Sequence, residues 1–209
     1  MFDLDGTLAD TLDDIATAAN AVLAALDRPA HSVAAYRRFV GHGATWLFEQ
    51  ALGEAHRELA PRAKTMIEAH FREHGHPLTK AYDGVADMLD ALTQRGIVLA
   101  VLSNKPDAAA KHTVETKFGR WRFDRVLGHR DDLPLKPDPT SARLICDELN
   151  IAPSQWLYMG DSEVDMRTAK AASMFAVGAT WGFRDRDELL AGGADRLIDH
   201  PVELLDLLD

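Results

Sequence analysis

Apolar positions fall into two kinds of run along this chain, and the change from one to the other predicts its architecture. From Ile97 the sequence reads IVLAVLSN, six consecutive apolar residues that end at Ser103 and Asn104. Such a run marks a strand buried on both faces, as in a parallel sheet covered by helices. Ahead of it, VADMLDALTQRG places Val85, Met88, Leu89 and Leu92 on one helical face, with Gly96 as the C-terminal cap. The alternation continues through FDRVLG (123–128), a helix from about Thr140 to Leu149, WLYMGD (156–161), a helix near 164–172 and MFAVGAT (174–180). A short RLID strand (196–199) and an amphipathic tail follow. This βαβα order predicts an α/β fold with a parallel sheet between two layers of helices.

Residues from about Thr11 to Pro77 follow a different rule. TLDDIATAANAVLAAL, AYRRFVGHGATWLFEQAL and ELAPRAKTMIEAHFREH have helical periodicity and contain no buried-strand run. Thr11 with Asp14 three residues on is an expected N-terminal cap for the first of them. Roughly 65 residues without a strand predict an α-helical domain inserted into the sheet domain. The expected division is 1–10 and 79–209 for the core and 11–78 for the helical insertion. Trp46 and Phe48 are expected in the core of that insertion.

Polar residues stand where the apolar runs stop. The first run ends in Asp3-Leu4-Asp5, the second in Ser103-Asn104-Lys105, and WLYMG in Asp161-Ser162-Glu163-Val164-Asp165. Between the last two lies LKPDP, with Lys136 in a loop. Ligands collect at the carboxyl ends of strands in an open parallel sheet. Each motif alone reads equally well as a turn, a cap or a surface lysine; together they make a chemical set. A carboxylate such as Asp3 can attack a phosphoryl group and carry it as an acyl phosphate. Two anionic reactants need a divalent cation, and Mg²⁺ prefers hard oxygen ligands. Asp3, Asp161 and the backbone carbonyl of Asp5 can supply them, with Asp165 holding a water or orienting Lys136. The Asp5 side chain can protonate the leaving oxygen and later activate water. Ser103 and Lys136 can hold the phosphoryl oxygens.

MFDLDGTL, VLSNKP, LKPDP and GDSEVD resemble the four motifs of the haloacid dehalogenase-like superfamily, in order and across the whole chain. The resemblance implies a Rossmann-like core with a helical cap inserted after the first motif. It implies Asp3 as nucleophile, Asp5 as acid/base, Ser103 and Lys136 as phosphate-binding, and Asp161 as metal ligand supported by Asp165. Gly6, Thr7 and Asn104 are further expected substrate contacts. Dehalogenases of this superfamily lack the acid two residues after the nucleophile, so Asp5 points to phosphoryl chemistry. RRFVGHG, AYDGV and ATWGF are similar to phosphoglycolate phosphatase patterns, although Asp83 and Ser173 replace a customary proline and glycine. The expected activity is Mg²⁺-dependent hydrolysis of 2-phosphoglycolate. The alternatives are a β-phosphoglucomutase-like isomerase, or a phosphatase acting on a sugar phosphate or pyrophosphate. Arg38 and His42, beside the Gly41–Gly43 turn, are expected to face the site when the cap closes.

Composition narrows the partners. At 46% hydrophobic and 27% charged the chain is globular, not disordered. A net charge of -10 argues against a nucleic-acid backbone or an anionic membrane as partner. A small phosphate ester remains, held by local cations on a monomer or homodimer. Cys146 is the only cysteine, and with no signal peptide read at the start the expected location is cytoplasmic. His70 and His74 have the i, i+4 spacing of some zinc sites, but a solvated helix explains them and His76 as well. Only Met1 and Phe2 precede Asp3, where the superfamily usually has a full strand. Losing three buried residues of the Val or Ile kind forfeits roughly 5–9 kcal/mol, so the natural start is expected upstream.

Overall fold

The computed structural model describes residues 1–208. In chain order the elements are β1 (Ala9–Asp10), α1 (Leu12–Ala25), α2 (Val33–Phe39), α3 (Ala44–Leu52), a 3-10 turn (Glu54–Leu59) and α4 (Ala60–His74). Then come β2 (Lys80–Ala81), α5 (Val85–Gln94), β3 (Ala100–Pro106), α6 (Asp107–Phe118), β4 (Arg125–His129) and α7 (Thr140–Leu149). The series finishes with β5 (Leu157–Gly160), α8 (Glu163–Ala172), β6 (Phe175–Ala179), α9 (Arg186–Gly192), β7 (Arg196–Ile198) and a 3-10 segment (Pro201–Leu207). No helix among the described residues is long and apolar enough to cross a membrane.

The sheet is parallel. β4 lies beside β3, and β5, β6 and β7 follow one another. What joins the two parts is Phe2, bridged in parallel to Val101 on one side and Met159 on the other. Four backbone hydrogen bonds of 2.9 Å fix it: Phe2 to Ala100, Leu102 to Phe2, Asp3 to Met159, and Met159 to Met1. Burial of Phe2 contributes about 1.5–3 kcal/mol. Side chains alternate between faces along these strands. Phe2, Val101, Met159 and Val177 pack with α5 and Phe118, while Met1, Ala100, Leu102, Tyr158 and Ala176 pack with Ile145 and Met166. Both faces are dry, which is why the strand runs carry no polar alternation.

Helices α1–α4 form the cap and enclose their own apolar core, including Leu23, Tyr36 and Phe48. The second helical stretch breaks at Gly41–Gly43 into α2 and α3. Trp46 departs from expectation: it is 37% exposed and lies against the His42 ring, 5.2 Å between centroids. Both chain crossings between cap and sheet are paired, because β1 and β2 form an antiparallel ribbon.

The expected Thr11–Asp14 cap is corrected. Thr11 makes no side-chain capping bond, and its buried hydroxyl has no hydrogen-bond partner. The Asp14 carboxylate instead accepts from Leu78 N at 3.1 Å, and from Thr79 N and Thr79 Oγ1 at 2.6 Å each. A buried carboxylate takes the strongest donors within reach, and the returning chain offers three. Asp14 therefore clamps the hinge.

Candidate active site

Asp3 emerges from the middle of the sheet, between the ends of β3 and β5. The chain then turns through a small loop closed by Gly6 N to Ala9 O and Ala9 N to Leu4 O, both 2.9 Å. Gly6 has φ +88°, and a Cβ there would stand 2.3 Å from Asp161 Oδ2. Glycine is thus required twice, for its backbone conformation and for the approach of Asp161. Thr7 Oγ1 donates to Asp161 Oδ1 at 3.0 Å, and Phe183 N donates to Asp161 Oδ2 at 2.7 Å. Asp161 is held rigidly before any ligand arrives.

Lys136 reaches the same point from the loop between β4 and α7. Its ammonium is 2.6 Å from Asp165 Oδ1, 2.9 Å from Asp3 Oδ1 and 3.2 Å from the Leu102 carbonyl. The Asp3 contact is an ion pair without a hydrogen bond's alignment, so Asp3 Oδ1 has no donor of its own. Asp165 Oδ2 accepts from Ser162 N at 3.1 Å and Ser162 Oγ at 2.6 Å, which locks it in the first turn of α8.

The electrostatics call for a cation. Asp3, Asp161 and Asp165 are all buried, and one oxygen of each lies within 4.8 Å of the others. They face a single ammonium. Burial, then the neighbouring Asp165, raises the Asp3 carboxyl well above its ordinary value, with Lys136 opposing. Burial and Asp165 likewise push Asp161 up to about 7, against the bonds from Phe183 and Thr7. Burial works against the Lys136 charge, but Asp165 and Asp3 together hold its pKa well above the ordinary value. Buried, all-oxygen and over-negative, the trio fits a hard divalent ion. No other such group occurs among the described residues, so His70 and His74 are left as a stacked pair without further ligands.

On the other side of Asp3, Asp5 is paired with Lys105, whose ammonium lies 3.0 and 3.3 Å from its two oxygens. Ser103 Oγ accepts from Lys105 N at 3.2 Å. A cavity of about 340 Å³ opens over Asp3, Asp5, Ser103 and Lys105, with Val40, Leu47, Ile67 and Phe71 of the cap as its roof.

The profile of the haloacid dehalogenase-like hydrolases matches residues 1–179. The chain belongs to this family. Within the family it is 36% identical to the phosphoglycolate phosphatase of Pseudomonas putida over 98% of this chain and 77% of that one. It is 32% identical to the phosphoglycolate phosphatase of Photobacterium profundum, over 99% and 93% of the two chains. The crystal structure of a predicted phosphoglycolate phosphatase from Haemophilus somnus superposes with a TM-score of 0.88 at 27% identity, covering 100% of this chain and 96% of the other. The catalytic Asp cluster on this hydrolase fold supports phosphoric-monoester hydrolysis.

Several expected substrate contacts are spent elsewhere. The Asn104 amide donates to Gly41 O at 2.8 Å and Lys136 O at 3.1 Å, and its oxygen accepts from Lys136 N at 2.9 Å. It ties the lysine loop to the cap and has no free donor. Thr7 serves Asp161, as described. His42 turns to Glu163, 3.3 Å away, instead of into the cavity. Arg38 is exposed; its neighbour Arg37 crosses to the Gly182 carbonyl. From the core, Arg184 returns the contact to the carbonyls of Arg37 and Val40. These bonds hold the cap closed through backbone acceptors that no side-chain pattern announces. Lys105 was missed for a different reason. It sits two residues after Ser103, on the same side of the strand, and that period-two spacing was the available signal.

Proposed function

We propose that this chain hydrolyses a small phosphate monoester through an aspartyl phosphate on Asp3, with 2-phosphoglycolate as the leading substrate. The observation that carries the reading is that Asp3 and Asp5 line one cavity, with Lys136, Asp161 and Asp165 gathered around Asp3. An Asp3 oxygen attacks phosphorus as the bond to the leaving oxygen breaks, and Asp5 gives that oxygen its proton. Water then attacks the phosphorus of the aspartyl phosphate while Asp5 takes back a proton. The P–O bond to Asp3 breaks, releasing inorganic phosphate and restoring the Asp3 carboxylate and the protonated Asp5. Ser103 and Lys136 donate to the phosphoryl oxygens, and Asp165 positions Lys136. Mg²⁺, held by Asp3 and Asp161 with Asp165 behind them, would supply charge neutralisation for the transferring group.

The substrate assignment rests on relatives that bear the phosphoglycolate phosphatase name over nearly the whole chain. Cavity size agrees, since about 340 Å³ lies at the small end of the roughly 300–1,000 Å³ usual for ligand pockets. The test is phosphate release with Mg²⁺ over 2-phosphoglycolate, hexose phosphates, nucleotides and pyrophosphate, with Asp3→Asn as the blank. Selective turnover of phosphoglycolate is the expected result. Preference for another ester replaces the substrate and keeps the chemistry; hexose phosphate isomerised without phosphate release makes the chain a mutase.

A further inference from the structure

One wall of the cavity carries chemistry that the reaction above does not use. His76, in the segment returning from α4 to β2, is 5% exposed and lines the cavity. Neither of its ring nitrogens has a hydrogen-bond partner. Its ring is held at 4.4 Å from that of Phe71, and the His112 ring of α6 lies 6.2 Å away. The Lys105 ammonium, which grips Asp5, stands 5.4 Å over the same Phe71 ring. His76 thus lines the same cavity as Asp5 and Lys105.

We infer that His76 is a substrate-binding residue, which reads an oxygen function (carboxylate or hydroxyl) on the leaving group beyond the ester oxygen. This rests on the phosphomonoesterase reading, because it takes Asp5 to mark the leaving-group side. An imidazole buried with two unpaired nitrogens is costly to the free protein, and a polar group of the ligand removes that cost on binding. Burial first, and then the charge of Lys105, lower the His76 pKa to about 4. The ring is therefore neutral near pH 7, with one N–H to donate and one nitrogen to accept. Lys105 and His112 alongside it favour an oxygen-rich group over a hydrocarbon one; of the cap residues that line the cavity, Val40, Leu47, Ile67 and Phe71 are apolar, while Glu68 and Arg72 of α4 are charged.

The test compares 2-phosphoglycolate and glycerol 3-phosphate with ethyl phosphate, which lacks the extra oxygen, on wild type, His76→Phe and His76→Gln. His76→Phe keeps the ring packing and removes both nitrogens. Its kcat/KM for the oxygen-bearing esters falls roughly tenfold more than for ethyl phosphate, chiefly through KM. His76→Gln recovers part of the difference. The midpoint of thermal unfolding of His76→Phe stays level or rises, because an unpaired polar ring has become apolar. Equal losses on all esters with a lowered midpoint make His76 structural and overturn the inference; if His76→Phe fails to fold, the same comparison on His76→Gln decides it. Wild type that handles ethyl phosphate as well as the oxygen-bearing esters also overturns it, while leaving the phosphatase reading intact. No phosphate release from any ester overturns both.

Discussion

Asp161→Asn removes one charge from the buried trio while preserving its hydrogen bonds. The amide oxygen can accept from Phe183 N, and the amide N–H can donate to Thr7 Oγ1. In the wild type without metal, the carboxyl pKa rises from the ordinary 3.8 to about 7, with burial as the largest cause. A carboxyl whose pKa is raised on folding binds more protons folded than unfolded, so its charge costs stability as pH rises through that window. At 1.36 kcal/mol per pH unit, the cost is about 4 kcal/mol above pH 7 and less than half of that at pH 5. The variant should therefore unfold at higher urea concentration than wild type at pH 8 in EDTA, with a smaller gain at pH 5. Adding Mg²⁺ should stabilise wild type and not the variant, reversing the order, and the variant should have lost activity. A variant less stable than wild type in EDTA at pH 8, or a gain that does not change with pH, would refute the claim that the trio is over-negative.

Three further outcomes follow from particular residues. Asp14→Ala strips three bonds from the buried hinge and should cost about 2–4 kcal/mol in urea unfolding, with Asp14→Asn recovering part; a cost under about 0.5 kcal/mol contradicts the clamp. Ser173 holds φ +65° at the end of α8, where an L-residue is strained, so Ser173→Gly should stabilise by about 0.5–1 kcal/mol in the same assay. Asp5→Asn should slow alkyl phosphates about 10²–10⁴-fold while losing far less on 4-nitrophenyl phosphate, whose leaving group needs no proton. Equal losses on both would remove Asp5 from acid catalysis.

The sheet and its carboxyl-end motifs were legible because burial on both faces writes itself into sequence as unbroken apolar runs. β3, β5 and β6 each pack side chains into both cores, and each run ends beside a motif. The cap was legible as helices for the same reason of periodicity. Its contacts with the core were not. Arg184 and Val40 lie 144 residues apart, and their bond uses a backbone carbonyl, which every residue carries. Choosing Arg38 over Arg37, or turning His42 inward, needs the orientation of a short helix end that periodicity does not supply. Asp14 misled similarly, since the local capping pattern was outcompeted by Thr79, 65 residues away. Asn104 was placed correctly at a strand end, but its amide was spent on two carbonyls and a backbone N–H brought by other segments.

The central claim is that Asp3 carries the phosphoryl group. The direct measurement is acid quenching of the enzyme during turnover with Mg²⁺, followed by mass mapping of the peptide containing Asp3 and Asp5. The account predicts a phosphoryl group on Asp3, absent from Asp3→Asn and accumulating when Asp5→Asn slows its hydrolysis. Phosphate released with no covalent adduct under any of these conditions, or an adduct on Asp5, would contradict it.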